Sequence, residues 1–245
     1  MSQLVNIFNA GVQYVNNLEV TRASTTTVSI AAGQCRNSTN NTDMALLSLV
    51  TIDGAVNGAN GLDAGSLANN TWYYVHLIAD SRNYNAVAGI ISTSSTAPTL
   101  PLGYDSFRRL GVMRTNGSAQ FLDCYIFGNS HERTYFWNIE VAVAVVLAAG
   151  SDDAYTAVDL SALMPTTSQT VMLRAEHKPQ TADDKFFLRP TGSGLTELVS
   201  YAGSVATKAN GVEVNMPTDT SQSVDYHETG TGTLSLWVLG FKEYL

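Results

Sequence analysis

Charge is the scarcest commodity in this chain. Asp, Glu, Lys and Arg make up 14% of its 245 residues, against about a quarter in ordinary soluble proteins. The few charges also lean one way, with 13 Lys and Arg against 21 Asp and Glu, a formal net charge of −8. That balance excludes the clustered cationic stripe that a phosphate backbone requires, and Arg108-Arg109 with Arg114 does not amount to one. Nucleic acid is therefore not an expected partner. Long hydrophobic runs are also missing. The longest, Val141 to Ala149, reaches nine residues, about half a membrane span. It reads as one buried strand, so membrane insertion is not expected. Met1-Ser2-Gln3-Leu4-Val5 lacks the basic and apolar regions of an export signal, which implies a soluble protein made in a cytoplasm. Cysteine is nearly absent. Cys35 and Cys124 lack CxxC spacing and read as reduced thiols.

Catalytic patterns are lacking as well. The four histidines, His76, His131, His177 and His227, stand far apart with no HExxH, which excludes the usual zinc spacing. Gly192-Ser193-Gly194 is too short for a nucleophile elbow. Asp152-Asp153 and Asp183-Asp184 are carboxylate pairs of the type that glycoside hydrolysis employs, but they sit among turn residues. The glycine-rich stretch Asp53 to Gly65 has no following helix signal and no lysine, so it reads as a tight loop rather than a phosphate cradle. No cofactor, metal or catalytic group is expected, and the chain reads as a non-enzyme.

What replaces charge is Thr, Ser, Asn and Gly, a mix that suits strands and turns. The stretch Trp72 to Thr115 organises the rest. Trp72 to Ala79 is an aromatic and β-branched run, fit for a half-buried pleated surface. Asp80-Ser81-Arg82-Asn83 turns it, and Ala86 to Ser92 returns. Pro98 and Pro101 hold the next segment extended, and Phe107 to Val112 begins another strand. Asn116-Gly117 predicts a hairpin whose second arm is Phe121 to Phe127.

Elsewhere Thr25 to Ala31 alternates, and Met44 to Ile52 reads as a strand buried on both faces, while Cys35 to Asp43 is too polar for a core and reads as a loop. The β pattern restarts after Gly128 to Arg133. Strands are expected within Tyr135 to Ala149 and at Ala154 to Leu160, Thr170 to Ala175, Phe186 to Pro190, Val212 to Pro217, Gln222 to Tyr226 and Gly232 to Phe241. Short strands separated by turn signals predict an all-β protein of two antiparallel, jelly-roll-like sandwiches. They would span 23–130 and 131–245, preceded by an extended N-terminal arm over 1–22. Trp72-Tyr73-Tyr74 and Tyr135-Phe136-Trp137 would place half their rings outward, where a host glycan could stack.

Six segments carry a resemblance. These are Ala32 to Ser38, Asn60 to Gly65, Trp72-Tyr73-Tyr74, Ser92-Thr93-Ser94, Pro98-Thr99-Leu100-Pro101-Leu102-Gly103-Tyr104 and Arg108-Arg109-Leu110-Gly111. In this order they resemble a module of tailed-bacteriophage virion structural proteins, over residues 25–128. One departure is Asn37, where the pattern has an acidic residue to pair with an arginine. The second half is similar, more loosely, to the β ends of phage fibres and head decorations through Val158 to Ser161, Leu188-Arg189-Pro190 and Val238 to Phe241. The resemblance implies a building block of the virion, assembled as a homotrimer with itself and contacting other virion proteins. A tail fibre or baseplate role is the first implication, and capsid decoration the alternative. Arg36, Trp72, Tyr74, Tyr104, Arg108, Arg109 and Arg114 are the expected interface or structural residues, and Arg108, Arg109 and Arg114 are expected to pin the Pro98–Gly103 loop or meet a neighbouring subunit.

Overall fold

The computed structural model describes residues 14–128, 131–139, 144–202 and 207–245. Every named element among the described residues is a β-strand, and the fold is all-β. The chain divides into two compact units. The first runs through Phe121, and the second is built from Leu122–Phe127 and Glu132–Tyr244.

In the first unit, β1 (Val15–Asn17), β4 (Gly33–Arg36) and β5 (Asp43–Leu46) form a small antiparallel sheet. The large sheet contains β2 (Val20–Arg22), β3 (Thr27–Ile30), β6 (Val50–Asn57), β7 (Gly61–Leu62), β8 (Trp72–Asp80), β9 (Asn83–Ser92) and β10 (Ser106–Arg114). Its order is β10-β8-β9-β7-β6-β3-β2, antiparallel except where β7 runs parallel to both neighbours. The sheet curls toward closure. Phe121, just beyond β10, donates its N–H to Thr25 O at 2.7 Å and accepts Arg22 Nε at 2.9 Å. Those bonds tie one sheet margin to the β2–β3 turn at the other. Curling of this kind protects edges that would otherwise pair with other chains.

The second unit is organised by β20 (Thr233–Tyr244). One edge of β20 pairs β15 (Ser168–Lys178), which pairs β18 (Asn210–Pro217). Two strands share the other edge: β12 (Glu132–Trp137) along Gly240–Tyr244, and β13 (Val145–Gly150) along Leu234–Trp237. β11 (Cys124–Phe127) pairs β12 and ends the sheet. A second sheet has the order β14 (Thr156–Asp159), β19 (Ser223–Glu228), β16 (Lys185–Pro190) and β17 (Val199–Ala202). Leu173, Ala175, Leu234, Leu236, Val238 and Phe241 from the first sheet are buried, as are Phe186, Leu188 and Val224 from the second. Their period of two gives each sheet one apolar face.

Several expectations change. Residues 15–22 of the expected arm are strands paired within the first unit, because Val15, Leu18 and Val20 are buried in its core; residues 1–13 lie outside the described residues. Met44 to Ile52 is two strands, split where Leu47 and Leu49 are exposed. The polar loop after Cys35 has a buried centre, Asn37, and Gly33–Arg36 before it is strand. The Asn116-Gly117 turn forms and carries a Thr115–Phe121 bridge. The segment after Phe121 then leaves the first unit to pair β12, since Tyr125 and Ile126 find partners in Phe136 and Tyr135. β13 is half exposed rather than a buried strand, and 140–143 lie outside the described residues.

Gly240 shows how tightly β12 and β20 meet. A Cβ there would lie 1.9 Å from Tyr135 O and 2.6 Å from Met172 Cε. Backbone cannot yield as a flexible side chain can, so Gly240→Ala is expected to lower stability by about 1–3 kcal/mol or more, the range for overpacking. Gly117→Ala, with nothing within 4 Å of its added Cβ, should stay within about 0.5 kcal/mol as a surface change. Urea unfolding of both variants checks the pair.

Candidate functional site

Five of the seven sequence-predicted residues, Trp72, Tyr74, Arg108, Arg109 and Arg114, lie on β8 and β10, whose register sets them. Arg114 pairs with Trp72, Val112 with Tyr74 and Arg109 with His76. Arg109 and Arg114 are five residues apart, an odd spacing that would put them on opposite faces of a regular strand. A bulge at Leu110, between the pairs Arg109–His76 and Gly111–Val75, restores them to one face. There the Arg114 guanidinium lies 5.8 Å from the Trp72 ring centroid, and that of Arg109 lies 6.0 Å from Tyr74. Cations over aromatic faces in this range are attracted to the ring quadrupole. Arg108 takes the other face, opposite Leu77, and is buried there. Burial holds its pKa below the usual arginine value.

Tyr104 is half buried and packs with Leu100 and Phe107 against Ile78, Ala88 and Ile90. Its N–H donates to Pro101 O at 3.1 Å, and Thr99 N–H donates to Asp63 Oδ2 at 3.0 Å. The described contacts of the Pro98–Gly103 loop therefore come from Asp63 and an apolar cluster. Arg36 stands apart on β4, with its Nε 3.4 Å from Asp43 Oδ1. Asn37 is buried at the centre of its loop. Its Oδ1 accepts the Asn41 and Thr42 N–H groups, and its Nδ2 donates to Asn41 Oδ1 at 2.7 Å. A neutral amide closes that loop with donor and acceptor together, and Asp43 supplies the carboxylate for Arg36.

His76 is wholly buried between these strands. Its Nε2 lies 3.0 Å from Ser94 O, so the ring donates there, while Nδ1 has no hydrogen-bond partner. Burial pushes its pKa down to about 4. The unfolded chain takes up this proton near pH 6.5 and the folded chain refuses it until about 4. Stability should be intact above pH 6.5 and fall progressively between pH 6.5 and 4. His76→Gln, which does not titrate, should flatten that part of the urea midpoint against pH. An equally steep profile in the variant would assign the loss elsewhere.

One carboxylate of each candidate pair in the second unit is committed to structure, and Asp153 and Asp183 are exposed. Asp184 accepts the Thr181 hydroxyl and the N–H groups of Thr181 and Gln180, the last two at 3.0 and 2.9 Å, and the hydroxyl first and then these N–H groups hold its pKa below the ordinary value. Asp152 accepts the Tyr226 hydroxyl at 2.6 Å. The sequence gives no sign of a further pair, His177 on β15 and Glu228 on β19. Both are fully buried, and Nε2 lies 2.9 Å from Oε1. The pair joins the two sheets, and Gly232 leaves it room, since a Cβ there would stand 2.5 Å from Glu228 Oε1. Burial raises the Glu228 pKa. His177 Nδ1 and Glu228 Oε2 have no hydrogen-bond partner. Removing one member of a buried pair strands the other, so Glu228→Leu should cost about 3–5 kcal/mol. The double change His177→Phe with Glu228→Leu should recover most of that loss in thermal unfolding.

A cavity of about 80 Å³ opens where β12 leaves β20 and β13 joins it, lined by Trp137, Ile139, Ala144, Arg174, Trp237 and Leu239. Arg174 lies 5.5 Å from the Trp237 ring and bonds Glu176 at 3.1 Å. Small-molecule sites are typically about 300–1,000 Å³, so this one suits a few waters. Among the described residues, no three His, Cys, Asp or Glu side chains form a metal site, and no helix is long and apolar enough to cross a membrane. Both cysteines are reduced thiols, and burial raises that of Cys35 to about 12.

Of the six rings in the two clusters, half of them expected to face outward, Tyr73, Tyr74 and Tyr135 are buried and Trp72 lies beneath Arg114. Trp137 is half buried and donates to Leu163 O at 3.0 Å. Phe136 is the exposed member; its ring meets Phe127, which in turn stacks with Tyr125, and both lie outside the expected set. The alternation Tyr125-Ile126-Phe127 was the available signal. No family model matches the chain, and no curated protein matches it significantly.

Proposed function

We propose that this chain is a non-enzymatic structural component of a tailed-bacteriophage virion. Its place is the tail, as a fibre or baseplate protein, and it works as a homotrimer of sandwich-like units. The order of motifs from Ala32 to Gly111 suggests the class. The observation that carries the reading is how the chemically capable residues are used. Arg109 and Arg114 lie on rings, Arg36 on Asp43, Asp152 on Tyr226 and Asp184 on its own turn. A reaction centre needs a nucleophile or acid held beside a base with room for a reactant. Here those groups brace strands and loops, which suits a protein that acts by shape and by copies of itself. Host-surface glycan is a further partner in this reading, after other virion proteins.

Gold-labelled antibody and cryo-electron microscopy of virions from the encoding phage test it. Label and matching density at the tail are expected. Density confined to the head would replace the tail role with capsid decoration, and absence from purified particles would end the proposal.

A further inference from the structure

The outer face of the β11–β12–β20 sheet ends in a cluster of rings. Tyr125 and Phe127 are 57% and 56% exposed, Phe136 is 39% exposed, and Tyr244 is 56% exposed. The register explains why they share a face. Tyr125 lies opposite Phe136, which lies opposite Gly240, while Phe127 lies opposite Thr134, which lies opposite Lys242. Tyr125 and Phe127 are 6.3 Å apart and nearly parallel, and Phe136 stands 6.3 Å from Phe127 at 74°. Half-exposed aromatics normally pack elsewhere on a chain, because each ring removes roughly 150–250 Å² from water when buried. At those values the four rings leave on the order of 400 Å² uncovered, the size at which a patch marks an interaction surface.

We infer that this face seats a second copy of the chain, an inference that rests on the self-assembly in the proposed function. Three observations select that occupant. The first is area: a stable interface buries about 800 Å² per partner, somewhat over half of it apolar, and the rings supply that apolar share. The second is charge. Each copy carries a net −8, so copies must meet where no charge stands uncompensated. The charged pair here is bonded within the face, Lys242 Nζ to Glu132 at 2.9 Å. Both pKa values move as a satisfied pair requires, Glu132 down and Lys242 up. The third is relief. With Phe136 upright against Phe127, the rings form knobs rather than the flat shelf on which a sugar ring stacks. Knobs suit a protein surface that interdigitates with them. The face also lies at the end of the sheet, on its terminal strand β11, where a neighbour can approach without obstruction from a further strand of that sheet.

Sedimentation velocity on the full chain tests this, comparing wild type with Tyr125→Ser/Phe127→Ser. Wild type is expected to assemble at micromolar concentration. The variant is expected to sediment as monomer there, its dissociation constant raised at least tenfold, with circular dichroism unchanged. Assembly of the variant like wild type would overturn the inference and leave self-assembly itself standing through another face. A monomeric wild type would remove both. Benzoylphenylalanine in place of Phe127 gives a reading that needs no destabilising change. Chain-to-chain photoadducts mapping to 124–137 are expected, and adducts confined within one chain, or formed only with added polysaccharide, would overturn the inference.

Discussion

Backbone pairing along two long central strands is the constraint on which everything else depends. A chain with so little charge and so many Thr, Ser and Asn residues has few ways to stabilise a helix. Its peptide groups must find partners in other strands, and buried ones must find them without exception. In the first unit β8 meets that demand, with β10 on one side, β9 on the other and side chains buried on both faces. In the second, β20 does so by holding β15 along one edge and both β12 and β13 along the other. The arginine–aromatic contacts are consequences of the β8–β10 register. The outward rings are consequences of the β12–β20 register.

Polar groups inside these sheets act as alignment pins. His76 on Ser94 O, Asn37 across its loop and His177 on Glu228 each cost desolvation, which their bonds offset only in one arrangement. An apolar core alone tolerates sliding and repacking. Sheets with weakly charged surfaces have few other signals to fix their register. His177–Glu228 does this between sheets, where shape complementarity alone would leave the sliding direction soft.

The fold class and most strands were legible in the sequence, because alternation and turn residues are local signals. Trp72 to Ala79, Thr170 to Ala175 and, from its second residue, Gly232 to Phe241 fall on strands as the pattern implies, and the expected turn Asp80 to Asn83 narrows to Ser81-Arg82. Pairing was not legible. Nothing local to Phe121 to Phe127 shows that β11 abandons the Asn116-Gly117 turn for β12, since either partner satisfies the same alternation. The residues chosen on β8 and β10 do lie together, and the sequence placed them there through the Trp72 run and the Arg108-Arg109 pair. It carried no warning that Arg109 and Arg114 share a face. The His177–Glu228 pair was equally hidden, because 51 residues separate its members and each alone resembles a surface residue.

The bulge at Leu110 has a wider bearing. One surplus residue reverses the parity of β10, so the residues after it are read in a different phase from those before it. Arg109 before it and Arg114 after it therefore both answer to rings on one side, while Arg108 answers to the interior. Loss of the surplus residue would put Arg109 and Arg114 on opposite sides while leaving composition almost untouched. Spacing in this segment, more than identity, is the property that descent would have to preserve.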